Sequence, residues 1–192
     1  SGSYKTGKYI AQKVAPKLVP VQLELGGKDP LYVADDIADV NQVAINAAEG
    51  AFYNNGQSCC AVERIYVHEK IYDAFLTAFV MEVAAYKIGD PLADETFIGP
   101  LTREDQLKLI LLQISDAKQK GAKLLHGGKR WGDKGYYMEP TVLSEVNHTM
   151  DVMNEESFGP IIGIQKVSDD QEALALMKET PYGLTASIFS GD

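Results

Sequence analysis

The chain holds two cysteines, and they are adjacent. Cys59 lies in Asn55-Gly56-Gln57-Ser58-Cys59-Cys60, just after a helical pattern that stops at Asn54-Asn55-Gly56. A thiol in a glycine-opened turn is placed where a small substrate can reach it, and thiolate is a strong nucleophile. Upstream, Glu24 stands in Leu23-Glu24-Leu25-Gly26-Gly27-Lys28. Downstream comes Glu155-Glu156-Ser157-Phe158-Gly159-Pro160. A carboxylate that ends a strand, a thiol in a turn and an acidic-aromatic Gly-Pro turn suggest one active site built from three distant segments. Each has an ordinary reading beside it. Cysteine is often a small buried hydrophobe, and that reading is kept for Cys60. A strand-end glutamate is usually solvated, and Phe158 could belong to the core.

The elements that must position these residues alternate between helix and strand. A short helix over about 5–15 is stopped by Pro16. Val19, Val21, Leu23 and Leu25 alternate with polar residues and predict a strand ended by Gly26-Gly27. That would put Glu24 near the strand's carboxyl end, where ligands gather in open α/β sheets. Val40, Val43, Ala44, Ala47, Ala48, Ala51 and Phe52 form one apolar helical face over 39–53. Arg64 to His68 reads as a strand, followed by a helix carrying Phe75 and Phe79. Thr102-Arg103-Glu104-Asp105 resembles a capping box opening a helix with Leu107, Ile110 and Ile114 inward. Strands are expected at 122–126, 137–143, 161–167 and 184–189, a helix near 169–179, and an exposed polar loop at 127–135. Strands separated by helices define an α/β fold, a mainly parallel sheet flanked by helices.

Composition narrows the partners. The 192 residues can bury one sizeable core. The 18 basic and 27 acidic residues give a net charge of −9, which argues against nucleic acid. No apolar run approaches the roughly 20 residues that span a bilayer, so no membrane partner is expected. The opening residues do not read as a signal peptide. Adjacent cysteines cannot staple distant elements, which fits a reducing compartment and a cytoplasmic location. His68, His126 and His148 share no metal-ligand spacing with the cysteines, so no metal site is expected.

The three segments, in this order, resemble the aldehyde dehydrogenase superfamily. Leu23 to Lys28 is similar to its glutamate signature, Gly56 to Ala61 to its cysteine signature, and Glu155 to Pro160 to the turn that holds the nicotinamide ribose. Gly2-Ser3-Tyr4-Lys5-Thr6-Gly7 resembles its phosphate-binding element. The separation 59 − 24 = 35 agrees with the family to within a residue. The resemblance covers essentially the whole chain and implies oxidation of an aldehyde to a carboxylic acid with NAD or NADP. It makes Cys59 the nucleophile, with its backbone N–H in an oxyanion hole, and Glu24 the base that activates water. It makes Gly2, Ser3, Leu25, Glu156 and Phe158 cofactor-binding residues, the last two at the nicotinamide ribose and ring. Arg64 aligns with a frequent family arginine, for which a structural ion pair is as good a reading as any. Residues 1–25 would be the tail end of a dinucleotide-binding domain and 26–192 a catalytic domain incomplete at its C-terminus. The chain is shorter than a full member by more than half. The resemblance therefore implies a homo-oligomeric parent enzyme, and for these residues alone either a catalytic portion or a non-catalytic fragment.

Overall fold

A computed structural model describes residues 1–191. Among the described residues six α-helices and six strands follow one another: α1 (Tyr4–Val14), β1 (Pro30–Val33), α2 (Val40–Phe52), β2 (Arg64–His68), α3 (Tyr72–Ala85), α4 (Glu104–Gln119), β3 (Lys123–His126), β4 (Thr141–Ser144), α5 (Asp151–Asn154), β5 (Ile161–Val167), α6 (Asp170–Lys178) and β6 (Ser187–Phe189). They build one sheet in the order β3-β4-β5-β2-β1-β6. Every pair is parallel except β3 with β4. The expected α/β architecture is the observed one.

Helices cover both faces, as parallel sheets require. On one face α2 and α3 pack Ala44, Ala48, Phe52, Phe75 and Phe79 against Leu31, Val33, Ile65 and Val67. On the other, Leu107, Ile110 and Ile114 of α4, with α5, meet Tyr32, Tyr66 and Leu143. Asp39 caps α2 by accepting from Gln42 N at 3.0 Å. Asp169 caps α6 by accepting from Glu172 N at 2.9 Å. Such caps contribute about 1 kcal/mol each.

The structure corrects four local expectations. Residues 19–25 are not a strand: Leu25 makes one isolated bridge to Gly2, and Val19 and Val21 are exposed. Alternation specifies a strand only where a neighbour supplies the ladder. The first true strand is β1, which the sequence pattern missed because its four residues are all buried and show no alternation. The expected strand at 137–143 begins only at Thr141. Finally, Thr102 is not a cap. Arg103 occupies the N-cap of α4 without a side-chain cap bond, and Thr102 is bound elsewhere.

Candidate active site

The cysteine loop is turned by its own backbone. After α2 ends at Phe52, Asn54, Asn55 and Gly56 take φ values of 49°, 61° and 68°. Asparagine and glycine are the residues that tolerate this region best. Asn54 Nδ2 closes the turn by donating to the Gln57 carbonyl at 2.8 Å. Gln57 then anchors the loop to the entry of α4. Its Oε1 accepts from Thr102 N and Thr102 Oγ1, both at 2.9 Å, and its Nε2 donates to the Pro100 carbonyl at 3.3 Å. Cys59 and Cys60 follow, both exposed free thiols. Cys60 is thus not the buried hydrophobe expected of it. Its Sγ lies 3.4 Å from both Tyr53 Oη and Ser58 Oγ, and these hydrogen bonds lower its pKa.

The glutamate segment meets the other two at its glycines. A Cβ built on Gly26 would lie 2.1 Å from Glu156 Oε1, and one on Gly27 would lie 3.0 Å from the Cys59 carbonyl. Only residues without a Cβ let the three segments come this close. Gly27 N donates to Glu156 Oε1 at 3.3 Å. Burial, and next the negative charge of Glu63, raise the pKa of half-buried Glu156. Gly2 N donates to the Glu24 carbonyl at 3.1 Å, which ties the start of α1 to the same place. Ser3 Oγ accepts from Thr6 N at 3.3 Å as the N-cap of α1.

These contacts gather the expected residues into one cavity of about 590 Å³. Gly2, Ser3, Glu24, Leu25, Cys59, Glu156 and Phe158 all line it, joined by Gln57, Arg103 and Gln106. Cys60 does not. Glu24 is exposed at this cavity rather than enclosed in an apolar site. The volume lies in the range of small-molecule sites. Among the described residues no group of three or more His, Cys, Asp or Glu could hold a metal. No described helix is long and apolar enough to cross a membrane.

Sequence reasoning missed the frame around the third segment. Glu63 is buried just before β2, and its carboxylate accepts from Ser157 N at 3.0 Å and Phe158 N at 2.9 Å. Lys28 Nζ binds Glu63 Oε2 at 2.7 Å and donates to Ser157 Oγ at 3.1 Å. Burial lowers the Lys28 pKa, with the charge of Glu63 opposing it. From α4, Gln106 Nε2 donates to the Ser157 carbonyl, and Gln113 Nε2 lies 3.4 Å from that of Glu156. No local pattern marks Glu63 or Lys28; the fold alone brings them to residues 157 and 158. Arg64 is buried too, but among the described residues it forms no ion pair. It donates to the Lys28 carbonyl at 2.9 Å and the Met177 carbonyl at 2.8 Å, joining β1's approach to the end of α6.

A sheet of this order, with a thiol, two carboxylates and a clamped Gly-Pro turn gathered at one cavity, defines an α/β domain with a candidate active site. The chain belongs to the aldehyde dehydrogenase family, whose model matches residues 1–192. It is 40% identical over 194 residues to peroxisomal aminoaldehyde dehydrogenase 1 of Pisum sativum, covering 100% of this chain and 38% of the pea protein. The solved NAD+ complex of an aldehyde dehydrogenase from Bacillus cereus superposes with a TM-score of 0.95 at 36% identity, over 100% of this chain and 39% of that one. A 3,6-anhydro-L-galactose dehydrogenase in complex with NAP reaches 0.96 at 38% identity, over 100% and 41%. The chain thus spans about two fifths of these proteins. With a peroxisomal relative among them, membership of the family does not fix a cytoplasmic location.

Proposed function

We propose that this chain carries the chemical centre of an NAD(P)-dependent oxidation of an aldehyde to a carboxylic acid. One observation carries the reading: seven residues singled out from distant segments line a single cavity. In this reading residues 1–25 belong to the edge of a dinucleotide-binding domain and 26–192 to the nucleophile-bearing domain. The cofactor fits the residues present. Glu156 fills the cradle beside Gly26 where a Cβ would not fit, and its carboxylate would accept hydrogen bonds from the ribose hydroxyls. Phe158 and Leu25, which line the same cavity, would contact the nicotinamide end, and Gly2 and Ser3 at the start of α1 would hold the pyrophosphate, where helix N–H groups favour anions. When bound, the cofactor accepts a hydride.

The chain's own residues do the rest. The Cys59 thiolate adds to the aldehyde carbon, forming the C–S bond and moving the carbonyl electron pair onto oxygen. The Cys59 backbone N–H stabilises that oxyanion, a kind of contact whose loss typically slows catalysis by about 10²–10³. Loss of hydride from the carbon leaves a thioester. Glu24 takes a proton from water, which attacks the thioester and releases the acid and the thiol. Two exposed free thiols are consistent with a reducing compartment such as the cytoplasm, and the complete protein is expected to be a homo-oligomer. In the complete polypeptide, Cys59→Ala should abolish dehydrogenase turnover with the fold intact by circular dichroism, while Cys60→Ala retains substantial activity. Near-normal turnover in the Cys59 variant ends this mechanism.

A second reading, a non-catalytic fragment of such an enzyme, is favoured by coverage. The chain matches only 38% of the pea protein's length. Little or no activity is expected of the 192 residues alone under either reading, and dehydrogenase activity of the complete polypeptide separates the two.

A further inference from the structure

We propose that Glu63 is a positioning residue that sets the Glu156–Phe158 turn for cofactor binding. The proposal rests on the reading above, in which Glu156 and Phe158 contact the nicotinamide ribose and ring.

Glu63 is 4% exposed, yet it ends in a carboxylate. Such a group persists only when fully paired and hydrogen-bonded. Among the described residues the hydrogen-bond partners of its carboxylate all hold one turn. Ser157 N reaches Oε2 at 3.0 Å, Phe158 N reaches Oε1 at 2.9 Å, and Lys28 Nζ reaches Oε2 at 2.7 Å while also holding Ser157 Oγ. Two successive backbone N–H groups turned onto one anion form the concavity known from backbone nests, here filled by the protein's own carboxylate. The turn needs such a restraint. Phe158 sits at φ 46°, a left-handed conformation that a bulky residue adopts only when its surroundings impose it.

The same bonds fix direction. Ser157 and Phe158 follow Glu156 immediately, so holding their N–H groups sets where the Glu156 side chain leaves the backbone. It leaves toward Gly26 and Gly27, and Gly27 N donates to it at 3.3 Å. On the far side Gln106 and Gln113 hold the carbonyls of 155–157 from α4. The turn is thus clamped by its donors from Glu63 and by its acceptors from α4. A residue that served stability alone would not need both of its oxygens on the backbone of the cofactor turn.

The test uses the complete enzyme and four variants: Glu63→Gln, Glu63→Asp, the double Lys28→Met/Glu63→Gln, and Glu156→Gln. The double variant removes both buried charges together, so no unpaired charge is left to unfold the chain. Glu63→Asp keeps the charge for Lys28 but withdraws it from the turn. Steady-state kinetics would vary cofactor and aldehyde separately, and fluorescence titration of each folded variant without aldehyde would give the cofactor Kd, which should rise with the KM. Losing charge-assisted bonds to the turn should raise the cofactor KM by about tenfold or more in the folded Glu63 variants, with the aldehyde KM within about twofold. A lower apparent kcat at unchanged cofactor KM marks a merely structural role and overturns the proposal. Glu156→Gln separates the two layers. If it raises the cofactor KM while the Glu63 variants do not, positioning by Glu63 is wrong and the role of Glu156 stands. If it leaves the cofactor KM unchanged, the role of Glu156 fails, and the proposal with it.

Discussion

Two carboxylates share the cavity in different surroundings. Glu24 is exposed, whereas Glu156 is half-buried and its pKa is raised by burial first and by Glu63 second. This suits a division of labour in which Glu24 exchanges protons with water and Glu156 holds a ligand. Glu24→Gln keeps the shape but removes the base. In the complete enzyme the acyl-enzyme should still form, so stopped-flow absorbance should record a burst of reduced cofactor before very slow turnover. Deacylation at the parent rate would show that another group activates the water. For Glu156 the sign of the pH dependence follows from its raised pKa. The folded chain holds this proton to higher pH than the unfolded chain does. Its stability contribution is therefore fully present below the unfolded pKa and is lost as pH rises through the folded value. Cofactor binding runs the other way, because the anion is the better acceptor for ribose hydroxyls. Cofactor affinity, followed by fluorescence titration, should fall as pH drops through the raised pKa, starting above the ordinary glutamate range. Glu156→Gln should flatten that profile; a parent profile already flat from neutral to mildly acid pH would sink the assignment.

At the scale of elements, the site depends on where loops touch. Gly56 combines φ 68° with a Cβ position 2.3 Å from the Gly159 carbonyl oxygen. Gly132 has φ 66° and open space around its Cβ position. Gly132→Ala should cost only the left-handed strain, about 1–2 kcal/mol. Gly56→Ala adds a backbone clash that pushes the cysteine loop off the 158–160 turn, so it should destabilise more and lower activity as well. Chemical denaturation of both variants measures the difference, and equal losses would mean the close approach is not maintained in solution. The same elements show what the sequence could and could not reveal. α2 was legible because seven apolar residues keep its inner face at helical spacing, and α4 because Leu107, Ile110 and Ile114 do the same. β1 was not, since a strand buried on both faces has no period to read, and its Pro30 start sits among turn-forming residues. Residues 19–25 misled in the opposite sense: they have the strand period without a strand partner. The thiol, the two carboxylates and Phe158 were legible as local motifs. Glu63 and the α4 glutamines were not, because what marks them is the fold bringing residue 63 to residues 157 and 158.

At the scale of the molecule, the 192 residues leave much apolar surface uncovered. Leu18 is 91% exposed, Tyr4 and Tyr9 on α1 are exposed, and Val19 follows in the unpaired segment. At the sheet's edge β6 pairs, among the described residues, with β1 alone, and Ile188 on it is 63% exposed. An edge strand with free N–H and C=O groups and an apolar side chain is a template for pairing with another copy. The 192-residue polypeptide should therefore self-associate, read as a mass above 21.0 kDa by light scattering after gel filtration. Ile188→Lys places a charge on that edge and should shift the population toward monomer. The polypeptide should also fail to bind NAD or NADP measurably at micromolar concentrations by calorimetry. Gly2, Ser3, Leu25, Glu156 and Phe158 contact one end of the cofactor at most, and their contribution must offset roughly 4–15 kcal/mol of lost translational and rotational freedom. A soluble monomer that binds NAD tightly would mean that the cavity by itself holds the whole recognition surface, and would overturn the assignment of residues 1–25 to the edge of a larger cofactor domain.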